Sequence, residues 1–334
     1  MSNPTHQSLM ARFYTKELAA KYKDRRTPYG WSITNVVRSG RENRDSSVGL
    51  YAGGEACYQQ FAELFDPVIA TYHQHDTSQP HHRSWALSEP LVNPDPDGRF
   101  VVSTRIRVAR NFANVPFPAA VSLTQRLQQE AAVQETLERE LSGRYYTLNT
   151  MPEPITTLLQ EKRCLPRLGD RFLASGGFNR DWPTGRGVFV DDSQKLFIWF
   201  GEEDFLRIIS LEFNADLAAV YERIVQACNL LEQAFHFAAD ERYGFLTSCP
   251  SNLGTTMRAG VHINLPHLHQ QPDKLKAACD ELGLQLRGTS GEHTAVENAT
   301  YDVSNKRRLG ITEAEAVTLL NKGVLALIEL EQEA

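Results

Sequence analysis

The run Cys249-Pro250-Ser251-Asn252-Leu253-Gly254-Thr255-Thr256-Met257-Arg258-Ala259-Gly260-Val261-His262 sets a thiol, a small-residue turn rich in hydroxyls and a fixed cation in close succession. A lone cysteine with a downstream arginine carries little by itself, because buried structural thiols are common and inert. Three further stretches give it company. Ser103-Thr104-Arg105-Ile106-Arg107 alternates cation and apolar residue, and as a strand it would turn both guanidinium groups to one face. Trp199-Phe200-Gly201-Glu202-Glu203-Asp204-Phe205-Leu206-Arg207 ends an apolar run in three acids and a cation. Arg287-Gly288-Thr289-Ser290-Gly291-Glu292-His293-Thr294 is a loop by composition, with an arginine and a glutamate five residues apart. Together the four stretches supply five arginines, several carboxylates and one thiol, an inventory for holding a polyphosphate and a cationic acceptor together.

At 334 residues the chain exceeds the usual size of one core, so two domains of unequal length are expected. A net charge of -6 argues against nonspecific nucleic-acid binding, which needs an extended basic surface, so the arginines must act locally. Cys57, Cys164, Cys228, Cys249 and Cys279 are odd in number and lack paired Cys-x-x-Cys spacing, which indicates neither a disulfide framework nor a zinc site. The N-terminal segment has no basic stretch followed by an apolar one, and no run approaches the length that crosses a bilayer. A soluble cytoplasmic protein is therefore expected, with no membrane partner. His73, His75, His81 and His82 surround a polar stretch without a carboxylate or cysteine at ligand spacing, and they read as a solvated linker rather than a metal site.

From Ser8 to about Ile69 the pattern is helical, with segments such as Leu9 to Tyr22 and Ala56 to Tyr72 broken by Gly- and Pro-containing turns. Residues 73–98, rich in His, Pro, Ser, Asn and Asp, read as the connection to a second domain, and the division falls at 1–85 and 95–334. Strand-like runs follow at Phe100–Val108, Gly187–Val190, Leu196–Phe200, Leu206–Phe213, Phe245–Thr247, Gly260–Asn264 and Leu284–Leu286. Asn214 reads as the N-cap of an amphipathic helix carrying Leu217, Val220, Ile224, Leu231 and Phe235. Pro272 opens another helix that Gly283 ends. Thr312 and Glu315 form a capping box before Val317, Leu320, Val324, Leu327 and Ile328. Consecutive strands often lack a crossover helix, so the fold class is α+β, a small all-helical N-terminal domain followed by a mostly antiparallel sheet flanked by helices.

These stretches, with Asp181-Trp182-Pro183-Thr184-Gly185-Arg186-Gly187 and Tyr301-Asp302-Val303-Ser304-Asn305-Lys306-Arg307-Arg308, resemble the phosphagen (ATP:guanidino) kinases over almost the whole chain, and within them the arginine kinases. The resemblance implies reversible transfer of the ATP γ-phosphoryl group to a guanidino nitrogen, with magnesium bridging the phosphates and no metal ligand supplied by the protein. Phosphoryl transfer needs little covalent help, so catalysis rests on charge neutralisation and in-line positioning. By resemblance Arg105, Arg107, Arg207, Arg258 and Arg287 surround the nucleotide phosphates. The nucleotide set extends to Ser103, Thr104, Ile106, Arg163, Ala259, Gly260, Val261, His262, Gly288, Thr289, Ser290, Gly291, Glu292 and Asp302. Glu203 and Glu292 match carboxylates that grip the guanidinium from two sides. Cys249 matches a cysteine that touches it as a thiolate, which requires nearby cations to depress its pKa. Ser47-Val48-Gly49-Leu50-Tyr51 resembles the loop that closes on the α-carboxylate and α-amine of L-arginine, where backbone N–H groups can bind a carboxylate.

Ser47 stands where many arginine kinases carry glycine, which keeps taurocyamine, lombricine and glycocyamine open as acceptors. Arg163 falls at the position of an adenine-stacking histidine, Ser290 replaces an arginine, Phe205 a histidine and Ala295 a glutamate. These departures point to altered nucleotide affinity, and they motivate an alternative in which the chain binds nucleotide without catalysis. A protein-arginine kinase is a further alternative, disfavoured by the intact helical domain and short loop. P-loop and protein-kinase readings fail because the chain holds neither Gly-x-x-x-x-Gly-Lys-Ser/Thr nor Asp-Phe-Gly. Monomer and homodimer are both compatible with the sequence.

Overall fold

The computed structural model describes residues 8–289 and 296–333. Five helices come first: α1 (Leu9–Phe13), α2 (Lys16–Tyr22), α3 (Ile33–Glu42), α4 (Ala56–Gln60) and α5 (Ala62–His73). The larger part follows as β1 (Val101–Arg110), α6 (Leu123–Glu140), β2 (Gly143–Thr147), α7 (Glu153–Glu161), α8 (Arg171–Gly176), β3 (Gly187–Asp191), β4 (Leu196–Phe200) and β5 (Leu206–Glu212). After α9 (Leu217–Ala234) come the two-residue strands β6 (Ala239–Asp240) and β7 (Gly244–Phe245), then β8 (Arg258–Asn264), α10 (Pro266–His269) and α11 (Pro272–Glu281). The described chain closes with β9 (Leu284–Arg287), β10 (Thr300–Asn305) and α12 (Glu313–Glu333).

Eight strands form one sheet in the order β2-β3-β4-β5-β1-β8-β10-β9, antiparallel at every step. The expected class is thus observed: a small helical domain, then a larger one built on an antiparallel sheet with helical cover. β1 holds a central place because its alternating side chains suit both surfaces. Ile106 and Val108 face α9 and join Ile208, Val261, Val220, Ile224, Leu320 and Val324 in the main core. Each such side chain contributes about 1.5–3 kcal/mol by leaving water. α9 starts at Asp216, whose carboxylate accepts from Ala219 N, while Asn214 instead accepts from Asp216 N. The N-cap expected at Asn214 therefore lies two residues later, and Asn214 forms the preceding turn. The capping box of Thr312 and Glu315 is present as expected.

The helical domain keeps a core of Val36, Val37, Phe61, Phe65, Val68 and Ile69, which continues into Tyr243, Leu246, Leu253 and Leu309 of the larger domain. An ion pair between Asp45 and Arg171, with Nη1 and Oδ1 2.8 Å apart, and Arg38 Nε donating to Ser175 O tie α3 and its following loop to α8. The connecting segment is largely exposed, but it is anchored to the larger domain at several points. Ser84 and Val92 bond to Glu313 and Asn321 of α12, and Tyr221 of α9 donates to Trp85 O. His73 and His81 are buried, each held near a pKa of about 4, mainly by burial. The solvated reading therefore fails for His73 and His81, which meet Pro250 O and Gly310 N, while His82 is exposed.

Asp95 joins this segment to the sheet: its carboxylate accepts from the N–H groups of Arg99, Phe100 and Val101 at 2.9, 2.7 and 2.7 Å. Burial alone would raise its pKa, but the three donors together hold it below the ordinary value. A depressed carboxylate stabilises the fold above the unfolded pKa and loses that contribution as pH falls through the folded one. Asp95→Ala is expected to cost about 2 kcal/mol or more in urea unfolding at pH 7, with the deficit shrinking below about pH 4. Equal stability of the two proteins at pH 7 would contradict this role.

Candidate active site

The side of β1 opposite the main core carries Ser103, Arg105 and Arg107, and antiparallel register extends each position into a row across the sheet. Arg107 lies between Ile209 of β5 and Arg258 of β8. Arg105 lies between Leu211 and Gly260, and Ser103 begins a row that continues through His262 and Asp302 to Arg287. Trp199 stands opposite Arg207, whose guanidinium sits 4.9 Å from the indole centroid. These rows floor a cleft of about 590 Å³, closed at one side by Leu159, Arg163 and Leu165. A Cβ on Gly260 would lie 2.9 Å from Val303 O, so glycine there keeps β8 and β10 close and leaves space above Arg105.

Two of the cations are held by acids and two are not. Arg207 Nη2 pairs with Glu202 Oε2 at 2.6 Å, and Arg258 Nη2 pairs with Asp302 Oδ2 at 2.5 Å while its Nε donates to Ser304. Arg105 donates to the backbone carbonyl of Arg163, and Arg163 in turn reaches Thr289 O. Arg107 has neither an ion pair nor a side-chain hydrogen bond among the described residues. Burial first, then Arg207, Arg258, Arg308 and Arg105, drive its pKa well below the ordinary guanidinium value. Arg105 is lowered mainly by burial as well. Crowded, desolvated cations of this kind favour a polyanion among them.

Ser103 Oγ and His262 Nδ1 are 2.8 Å apart, and burial lowers the His262 pKa. Thr104, Ile106 and Ala259 turn away from the cleft, with Thr104 Oγ1 donating to Asn214 O and Ala259 N to Asn305 Oδ1. Any contact of these three with a ligand is confined to backbone. Val261 and Thr289 line the cleft with Gly260, whereas Arg287 reaches Gln285 on its own strand beside Gly288. Ser290, Gly291, Glu292 and Ala295 lie outside the described residues.

Glu203 and Cys249 meet at one end of the arginine rows. The β4–β5 turn that carries Glu203 is tight because Gly201 sits at φ +86° with its Cα against Gly185 O, where a Cβ would lie 2.7 Å away. Buried Asp204 anchors the turn, accepting from Asn111 Nδ2 at 2.6 Å and from Ser248 N at 2.7 Å. Asn252 Nδ2 donates to Glu203 Oε1 at 3.3 Å. Burial first, then the neighbouring Asp204 carboxylate, push the Glu203 carboxyl up, against the opposing pull of Arg207. A raised carboxyl beside a cation site is suited to taking a proton.

The thiol departs from expectation. Cys249 is pushed up to about 12 by burial first and then by Glu203, with Ser251 Oγ 3.0 Å from its sulfur. A depressed thiolate was expected from nearby cations, but the charge nearest the sulfur is an acid. Tyr51 also lies close: burial, then Glu203 and Cys249, raise its phenol. Val48, Leu50 and Tyr51 bury their side chains in the helical core, while exposed Ser47 and Val48 accept from Leu9 N and Met10 N. The amide N–H groups of Val48, Gly49 and Leu50 donate no hydrogen bond among the described residues. Sequence reasoning missed Trp199, Glu202, Asn252 and Arg308 as site-forming residues, although each stands in a quoted stretch. Phe205 packs between Phe112 and Phe200 at 5.1 and 5.6 Å, so at that position the chain has core in place of an imidazole.

Sequence profiles of the ATP:guanido phosphotransferase C-terminal catalytic domain and N-terminal domain match residues 125–334 and 4–70. The chain belongs to the ATP:guanido phosphotransferase family. An arginine kinase of Penaeus vannamei is 43% identical over 98% of this chain and 93% of its own length. An arginine kinase of Callinectes sapidus is 42% identical with the same coverage. Among solved structures, the substrate-free duplicated taurocyamine kinase from Schistosoma mansoni superposes with a TM-score of 0.91 at 35% identity, covering 99% of this chain. The chain spans 48% of that duplicated protein. A lombricine kinase structure gives a TM-score of 0.91 at 32% identity, covering 98% of this chain and 92% of its own. The protein is accordingly a guanidino phosphotransferase that works with ATP or ADP. No helix among the described residues is long and apolar enough to cross a membrane.

Arg107→Met removes a cation that has no partner among the described residues, so the unfolding midpoint is expected to hold or rise. Affinity for inorganic tripolyphosphate should fall about tenfold or more. A midpoint lowered by several degrees with unchanged tripolyphosphate affinity would show that Arg107 serves the fold instead.

Proposed function

We propose that the protein reversibly transfers the ATP γ-phosphoryl group to the guanidino nitrogen of L-arginine, giving ADP and phosphoarginine as a cytoplasmic energy buffer. The observation that carries this reading is the meeting of the arginine rows, centred on Arg107 with no partner among the described residues, with Glu203 and Cys249 near Tyr51 of the 47–51 loop. Arg105, Arg107, Arg207, Arg258 and Arg287 take the phosphates. Their charge offsets what accumulates on the transferring group in a water-poor cleft. Among the described residues no group of three or more His, Cys, Asp or Glu could hold a metal ion. By resemblance magnesium would be bound through the phosphate oxygens, where it would supply further charge neutralisation.

On the acceptor side Glu203 would orient the guanidinium and accept its proton, a task that the family resemblance shares with Glu292, which lies outside the described residues. The raised pKa of Glu203 suits it to a group that is itself strongly basic, since proton transfer occurs only as the N–P bond forms. Cys249 supports the guanidinium by polar contact from its thiol, and a cation placed against it would draw the thiol toward ionisation. The free amides of Val48, Gly49 and Leu50 would bind the α-carboxylate of arginine. We retain the division at 1–85 and 95–334, with the first part setting acceptor choice. A second reading, another guanidino acceptor, is favoured by Ser47 and by the likeness to taurocyamine and lombricine kinases.

ADP formation from MgATP, followed with a panel of L-arginine, taurocyamine, lombricine, glycocyamine and an arginine-rich protein, separates these readings. L-Arginine is expected to support the fastest turnover, and Glu203→Gln to lower it by about a hundredfold or more with MgATP affinity little changed. Turnover with another guanidino compound alone would replace arginine, phosphoarginine on protein would favour a protein kinase, and no transfer to any acceptor would refute the reading.

A further inference from the structure

The Cys249 turn is gripped from the helical domain as well as from the sheet. Tyr58 OH donates to Thr247 O at 2.7 Å, Ala52 N to Ser248 O at 2.7 Å, and His73 Nε2 lies 2.8 Å from Pro250 O. From the catalytic domain, Asp204 accepts from Ser248 N, and Arg308 Nη1 donates to Ser251 O at 2.8 Å and to Asn252 Oδ1 at 3.0 Å. Residues Pro250–Asn252 form a single tight turn, and proline offers no N–H of its own. His73 is thus the side chain that holds the Pro250 carbonyl, from the last position of α5. A carbonyl partner fixes the imidazole with its proton on Nε2, and the buried ring is neutral at pH 7.

The turn controls both acceptor-side groups. Cys249 precedes it, with its sulfur against Ser251 Oγ, and Asn252 at its end donates to Glu203. A shift of the turn therefore moves the thiol and the carboxylate together, while the arginine rows, fixed by sheet register, stay in place. We infer that His73 is a positioning residue: through the Pro250 carbonyl it makes the helical domain set the placement of Cys249 and Glu203 against the acceptor. The inference rests on the proposed role of these two groups, but its first readout does not require turnover.

His73→Phe keeps the ring volume and removes the donor, whereas His73→Gln keeps a donor able to reach the same carbonyl. Alkylation of Cys249 by iodoacetamide is followed by mass spectrometry, with the other four cysteines buried. His73→Phe is expected to speed Cys249 alkylation several-fold and to lower kcat by about ten- to a hundredfold, with the KM for MgATP little changed. His73→Gln should restore most of both. Unchanged alkylation and kcat in His73→Phe would overturn the inference. So would a His73→Gln protein impaired as much as His73→Phe in both measurements. If the unaltered protein transferred phosphoryl to no acceptor, the proposed function would fail, and the alkylation comparison would still decide the role of His73.

Discussion

The antiparallel register of β1 between β5 and β8 is the constraint on which the site depends. A strand shifted by one residue would send Arg105 and Arg107 into the main core and Ile106 and Val108 into the cleft. The burial of Ile106 and Val108 in the main core beside α9 therefore determines where the cations stand. Once β1 is placed, pairing alone sets Arg258 opposite Arg107 and His262 opposite Ser103. Residues distant in sequence become a single binding surface without any loop having to position them.

That surface is costly to build, because like charges on one sheet face repel and burial penalises each. Glu202 and Asp302 relieve Arg207 and Arg258, and the carbonyl of Arg163 supports Arg105. Arg107 has no such partner among the described residues. The acceptor edge has the opposite character: Glu203, Asp204 and Cys249 are raised first by burial, and Glu203 and Cys249 further by neighbouring acids. A cleft with crowded, buried cations at one side and reluctant acids at the other favours a polyanion and a cation bound side by side. That is the charge arrangement phosphoryl transfer to a guanidinium requires.

Much of this was legible in the sequence, and the failures have physical causes. The alternation of residues 103–107 and the stripes of α9 and α12 exposed the core directly, because each carries apolar residues at the spacing of its own element. α6 escaped notice because its buried face includes Arg126, Glu130 and Thr136, which blur the apolar period. β10 was missed as a strand because Asp302, Ser304 and Asn305 serve the cleft and its backbone rather than the core. The Cys249 pKa and the burial of His73 and His81 depend on neighbours far away in the chain, which no local pattern encodes. The resemblance named Glu203 and Cys249, but only the structure shows Asn252 bonded to Glu203 and His73 against the turn that follows Cys249.

The central claim is that one sheet face holds the phosphates while the turn beside it holds the acceptor. A crystal structure of the protein with MgADP and L-arginine tests this most directly. The account predicts phosphate oxygens within hydrogen-bond reach of Arg105, Arg107, Arg207 and Arg258, and the guanidino group between Glu203 and Cys249. A nucleotide bound away from the β1 and β8 arginines, or a guanidinium that leaves Glu203 and Cys249 untouched, would contradict it.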